Sequence, residues 1–196
     1  MPKPSAAPAL RDTAERLIVQ HGVHGVGVDA ILAESGRSSR SLYQHFGSKE
    51  GLAIAVLKRR DVAWRAWLAT TASAAPGPER QLLALFDALD GWFRRPDFHG
   101  CPFINVAGSF PQADHPLRRV AADHKRALLA FLAERTKAAG FVAHARLARE
   151  LYLLLEGAIG AALVLNEPAA ARTAKRAAAT LIAAHRRDYA PNAGPA

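Results

Sequence analysis

The chain has 196 residues, half of them apolar, with a formal charge of +9 and a single cysteine. That apolar share is enough for a sizeable core. One cysteine excludes an internal disulfide framework and suits a reducing cytosol, and the positive balance favours polyanionic partners without dictating a fold. Residues 1–9 mix Pro, Lys, Ser and Ala and lack the apolar run of an export signal, and the most apolar stretch, 151–165, is interrupted by Glu156. It falls short of the roughly 20 residues that span a bilayer, so a soluble cytoplasmic protein with no membrane partner is expected.

Residues 1–8, with three prolines, are expected to form a loose, disordered arm. Leu10, Ala14, Leu17 and Ile18 then mark one face of a first helix that ends at Gly22, and Gly25 and Gly27 loosen the connection to the next. In a second helix Val28, Ile31 and Leu32 recur at helical spacing until Gly36, a residue that tolerates the left-handed conformation of a helix end. This places a turn at Gly36-Arg37. Ser38 or Ser39 can cap a third helix, and Leu42 and Phe46, four apart, give it one buried edge. Its other face carries Arg40, Ser41, Tyr43, Gln44 and His45, and no acid occurs from Ser35 to Lys49. A helix, a short glycine turn and a helix with a cationic polar face is the helix-turn-helix plan, whose second helix enters the DNA major groove.

The run 41–52, Ser-Leu-Tyr-Gln-His-Phe-Gly-Ser-Lys-Glu-Gly-Leu, preceded by Ala14, Leu17, Ile18 and Gly22 and by Ile31 with Gly36, resembles the amino-terminal domain of TetR-type transcriptional regulators. Three positions depart from that family's usual pattern. Gly27 stands where Ser or Thr commonly caps, Leu32 where a small Ala is frequent, and Arg37 where a branched apolar residue fills the turn. The resemblance implies a DNA-binding surface of Arg37, Ser38, Ser39, Arg40, Ser41, Tyr43, Gln44, His45 and Lys49. Tyr43, Lys49 and Arg37 would contact phosphates, while Arg40, Ser41, Gln44 and His45 offer donors to base edges. Residues 9–52 are then the DNA-binding domain.

A fourth helix, capped by Ser48, runs to about residue 72 and links this domain to a larger helical region over 53–188. The cluster Ser73-Ala-Ala-Pro-Gly-Pro breaks the chain there. Pro78 opens a fifth helix through Leu82, Phe86, Leu89 and Phe93. The segment 95–116 is irregular, with room for one short helix near 103–110. Residues 117–139 and 143–165 read as two long helices separated by Gly140, and Pro168 opens a final Ala-rich helix to about Arg187. The tail from 189 to 196 is expected to be disordered. No strand is predicted: the chain is all-α, a helix-turn-helix domain followed by a larger ligand-binding and dimerisation domain.

Gly157 and Gly160 fall inside a helix, where each costs about 1 kcal/mol against alanine, so something must need the space. A tight contact within one subunit or a dimer seam would explain them. The resemblance implies the seam, because TetR-like proteins pair through their last two long helices; Gly157, Gly160, Ala161, Ala174, Ala178 and Leu181 are its candidates. A homodimer also suits a two-part double-stranded operator. The resemblance further implies an apolar effector cavity, for which Trp64, Trp67, Phe86, Trp92, Phe103, Phe131 and Tyr152 supply aromatic walls, with Asn105, His124 and Glu156 to orient an unknown small molecule. Each aromatic is equally a core residue by its spacing.

Cys101, in His99-Gly-Cys-Pro-Phe, is either a buried structural cysteine or a thiolate favoured by a flanking histidine, and some TetR-like proteins sense electrophiles or oxidants through a cysteine in this region. His99, Cys101, Asp114, His115 and His124 match no tight metal-ligand spacing, so no metal and no cofactor is expected. No nucleophile elbow, paired-carboxylate motif or phosphate-cradling glycine loop points to an enzyme. The reading is a ligand-responsive DNA-binding regulator, acting as a repressor. A helical protein-interaction module without DNA binding and a metal- or thiol-dependent enzyme are the alternatives from other classes.

Overall fold

The computed structural model describes residues 6–187; the expected tail from 189 and the first five residues of the expected arm lie outside them. Among the described residues the fold is all-α: α1 (Ala6–Gly25), α2 (Val28–Ser35), α3 (Ser39–Phe46), α4 (Lys49–Ser73), α5 (Pro78–Phe93), α6 (Pro102–Ser109), α7 (Pro116–Ala138), α8 (His144–Val164) and α9 (Ala170–Arg187). Helix α1 starts at Ala6, so residues 6–8, assigned to the arm from sequence, are helical. Pro8 is tolerated there because the first turn of a helix needs no backbone donor. Gly22 takes φ +73° and ψ 166°, values outside the helical region, so the first regular helix ends there as expected and a short helical turn follows to Gly25.

The chain forms two compact units, one of residues up to 64 together with 101–125, the other of 65–100 together with residues from 126 onward. The first unit has a core of Leu10, Ala14, Ile18, Ile31, Leu42, Leu52 and Val56, each at most 4% exposed, to which Cys101, Phe103, Val106 and Leu117 add. Helix α6 packs on α1, which explains why a segment distant in sequence belongs here.

In the second unit α9 packs on both α8 and α5, and α5 on α8. Leu82, Leu85, Phe86 and Leu89 line one face of α5 and are all within 1% of full burial. Between α7 and α8, Gly140 adopts φ +82° and the buried Thr136 hydroxyl donates to the carbonyls of Leu132 (2.9 Å) and His144 (2.9 Å), satisfying backbone groups at the corner.

Candidate nucleic-acid interface

Each short helix of the amino-terminal unit is delimited by its own residues. Gly36 ends α2 in the left-handed conformation (φ +63°), donating its N–H to the Leu32 carbonyl. Ser38 caps α3 by accepting the Ser41 N–H at 3.3 Å, so of the two candidate serines it is Ser38 that caps. Ser48 accepts the Gly51 N–H at 2.9 Å and opens α4. Gly51 is required on steric grounds, since a Cβ there would fall 2.0 Å from the Phe46 carbonyl oxygen.

These constraints present α3 edge-on. Leu42 is wholly buried and Phe46 half-buried, while Ser38, Ser39, Arg40, Tyr43, Gln44 and His45 are exposed and Arg37, Ser41 and Lys49 half-buried. Tyr43 is 51% exposed. The Arg37 Nε is buried without a partner, so its stem lies against the domain while the remaining guanidinium donors stay available.

The electrostatics of the rim follow from where the acids go. Glu34 pairs with Arg16, Asp12 and Glu15 both pair with Arg59, and Glu15 also accepts from Arg60 at 3.2 Å. Burial acts to lower the Arg59 pKa, but the hydrogen bonds to Glu15 and Asp12 outweigh it and hold the guanidinium above its ordinary value. With these carboxylates neutralised on α1 and α2, the α3 rim keeps its positive charge. The α1–α4 pairing was missed from sequence. Asp12 and Glu15 share one helical face, yet their partners lie 44 to 47 residues away.

The effector-cavity candidates are not gathered in one unit. Trp64, Phe103, Asn105 and His124 belong to the first, and Trp67, Phe86, Trp92, Phe131, Tyr152 and Glu156 to the second. In the first unit the buried His124 stacks on Phe103 at 3.7 Å, meets Trp64 edge-on at 5.4 Å and bonds Asp61 through Nδ1 at 2.7 Å. Asn105 stands exposed on α6. In the second unit Phe86 is core, and Trp92 is buried with its ring edge-on to Phe98 at 5.0 Å. Cys101 is buried, with the Lys125 ammonium 3.3 Å from its sulfur. No cluster of three or more His, Cys, Asp or Glu among the described residues is arranged to hold a metal ion, and no described helix is long and apolar enough to cross a membrane.

The seam candidates divide by helix. Gly157 is exposed, Gly160, Ala161 and Leu181 are half-buried, and no atom lies within 4 Å of a Cβ built on either glycine. Ala174 and Ala178 are instead buried, 8% and 0% exposed, on the face of α9 that packs within its own subunit. The exposed residues of α9 include Ala177, Ala179, Thr180, Ala183 and Ala184.

Against known proteins, residues 10–56 match the family of bacterial regulatory proteins of the tetR type, and residues 78–178 match the tetracyclin repressor-like carboxy-terminal domain. The chain belongs to the TetR family. This TetR-family regulator is 27% identical to SCO4454, a TetR-family transcriptional regulator from Streptomyces coelicolor, with a TM-score of 0.86 over 96% of this chain and 98% of that one. A tetR-type regulator structure from Streptomyces avermitilis is 31% identical, with a TM-score of 0.83 over 93% and 98% of the two chains. The HTH-type transcriptional regulator LmrA of Bacillus subtilis is 33% identical over 107 residues, and the match spans 54% of this chain and 57% of that relative. The protein is thus a DNA-binding transcriptional regulator by family.

Proposed function

We propose that the protein is a homodimeric, ligand-responsive repressor that reads a two-fold operator by placing α3 in the major groove. The observation that carries this reading is the acid-free rim of Arg40, Tyr43, Gln44 and His45, all exposed around a wholly buried Leu42. Tyr43, Lys49 and Arg37 contact phosphates and set register. Gln44 and Arg40 address base edges, adenine and guanine being their usual partners, and Ser38, Ser39, Ser41 and His45 supply further donors. The homodimer pairs through α8 and α9. Leu153 and Val164 stand 67% and 78% exposed on α8, beside the open space at Gly157 and Gly160, which supports pairing through this face. A small-molecule effector taken up by the larger helical region changes the separation of the two reading helices. Half-sites must lie about one helical turn, roughly 34 Å, apart or a multiple of it, so a small change abolishes the fit.

Selection of bound sequences from a random duplex pool, followed by titration, tests this. Lys49→Ala should weaken binding to all duplexes and flatten the salt dependence, whereas Gln44→Ala should relax preference at one base pair. Equal losses on every duplex for both variants would refute the division of roles.

A second reading adds thiol sensing at Cys101, whose sulfur accepts from the Lys125 ammonium at 3.3 Å. N-ethylmaleimide should then release operator from the wild-type protein and leave Cys101→Ser bound; release of both would dispose of it.

A further inference from the structure

We propose that Phe110 and His115 are positioning residues for DNA reading: the corner between α6 and α7 holds the end of α1 and the first turn of α4, and through them the phosphate contact at Lys49. The inference rests on the reading of α3 as the DNA-binding helix. All the groups involved lie in the first unit.

Phe110 is an aromatic outside the core. It is half-buried, and its neighbours are two imidazoles. The His24 ring, in the last turn of α1 beyond the Gly22 break, lies 4.6 Å from it at 30°, and His24 Nε2 is 3.3 Å from the Ser109 carbonyl. The His115 ring stacks on Phe110 at 4.3 Å. The tautomer of His115 follows from its contacts. The Leu117 N–H donates to Nδ1 at 3.3 Å, which leaves the ring proton on Nε2, and Nε2 faces the Glu50 carboxylate at 3.6 Å. Glu50 is the residue after Lys49 and sits in the turn that Ser48 caps.

The corner is itself fixed. Arg118 Nη1 donates to the carbonyls of Ala107 (3.0 Å), Phe110 (3.1 Å) and Pro111 (3.4 Å), satisfying the open end of α6. One flat ring therefore joins α6, α7 and α1, and one imidazole passes the contact on to α4. Because α1 also packs on α2 and α3, a shift of this corner moves both flanks of the reading helix.

The test is a double-mutant cycle on the selected operator, with Phe110→Leu and His115→Ala each combined with Lys49→Ala. Each single corner variant should weaken operator binding roughly tenfold, within the range seen for residues that act through others. Phe110→Tyr, which keeps the ring, should restore affinity to within about twofold of wild type. The Lys49→Ala loss should shrink in either corner background, because residues that act through one another are not additive. Additive losses, or equal weakening by Phe110→Leu and Phe110→Tyr, would overturn the proposal. If Phe110→Leu does not fold, His115→Ala carries the cycle. A wild-type protein that ignores every duplex would remove the DNA reading first, a result distinguishable from additivity in a protein that binds.

Discussion

Gly51 and Gly157 both sit inside helices, with opposite surroundings. At Gly51 an added Cβ would meet the Phe46 carbonyl at 2.0 Å, and backbone cannot step aside as a flexible side chain can. Gly51→Ala should therefore cost about 1–3 kcal/mol in urea unfolding, the usual range for overpacking. At Gly157 and Gly160 nothing is met within 4 Å. Alanine at either should raise helix stability by up to about 1 kcal/mol. Under the proposed pairing through α8 and α9, Gly157→Leu should shift sedimentation from dimer toward monomer with helix content unchanged; a dimer that survives it would place the seam elsewhere. Gly100 is held by conformation instead: its φ of +74° is one that L side chains rarely adopt, whereas the Leu163 Cδ2, 2.5 Å from a built Cβ, is the end of a flexible side chain that can move aside.

Helix ends and helix ties carry the next set of consequences. Ser38→Ala removes the α3 cap and should cost about 1 kcal/mol by denaturant titration, with operator affinity falling alongside because the cap sets the start of the reading helix. In the second unit Asp90 accepts two hydrogen bonds from Arg94 (both 3.1 Å) and lies 3.4 Å from Arg172 on α9. The Arg94 bond, foremost, holds the Asp90 carboxyl below its ordinary value of 3.8, against burial that acts to raise it. A carboxyl whose folded pKa is depressed stabilises the fold above its unfolded pKa, and that stabilisation is lost as pH falls through the folded value. Stability should thus decline below about pH 4 more steeply in the wild type than in Asp90→Asn, by a few tenths of a kcal/mol for so exposed a pair. Parallel thermal melts at pH 3 and pH 6 would check it.

At the scale of the molecule, residues 101–125 matter most, because they belong to the same compact unit as the DNA-binding helices and not to the one that follows in sequence. Read as a two-fold binder, the protein must match two half-sites on one face of the duplex. Inserting roughly half a helical turn, about 5 bp, between the selected half-sites should abolish tight binding while leaving single half-site affinity intact, by titration at fixed salt. Unaltered affinity on the lengthened duplex would argue against a rigid dimer.

What could be read from the residues alone was whatever local physics decides. A cap at Ser38 or Ser39, the cap at Ser48, the left-handed Gly36, the buried Leu42 and the acid-free stretch from Ser35 to Lys49 are short-range features from which the α2 and α3 boundaries followed, with the choice of Ser38 left to the structure. Long-range matters were decided by packing. Periodicity gives a helix an apolar stripe but not its phase against two neighbours at once, which is why Ala174 and Ala178 turned inward between α8 and α5. Aromatic spacing likewise cannot tell a cavity wall from a core, and the burial of Phe86, 1% exposed, is what either role requires. The pairing of Arg59 with Asp12 and Glu15, and the tilted contact of His24 with Phe110, join segments far apart in the chain. Only the tertiary fold sets such partners, because no local preference of either residue favours the other until the chain has closed.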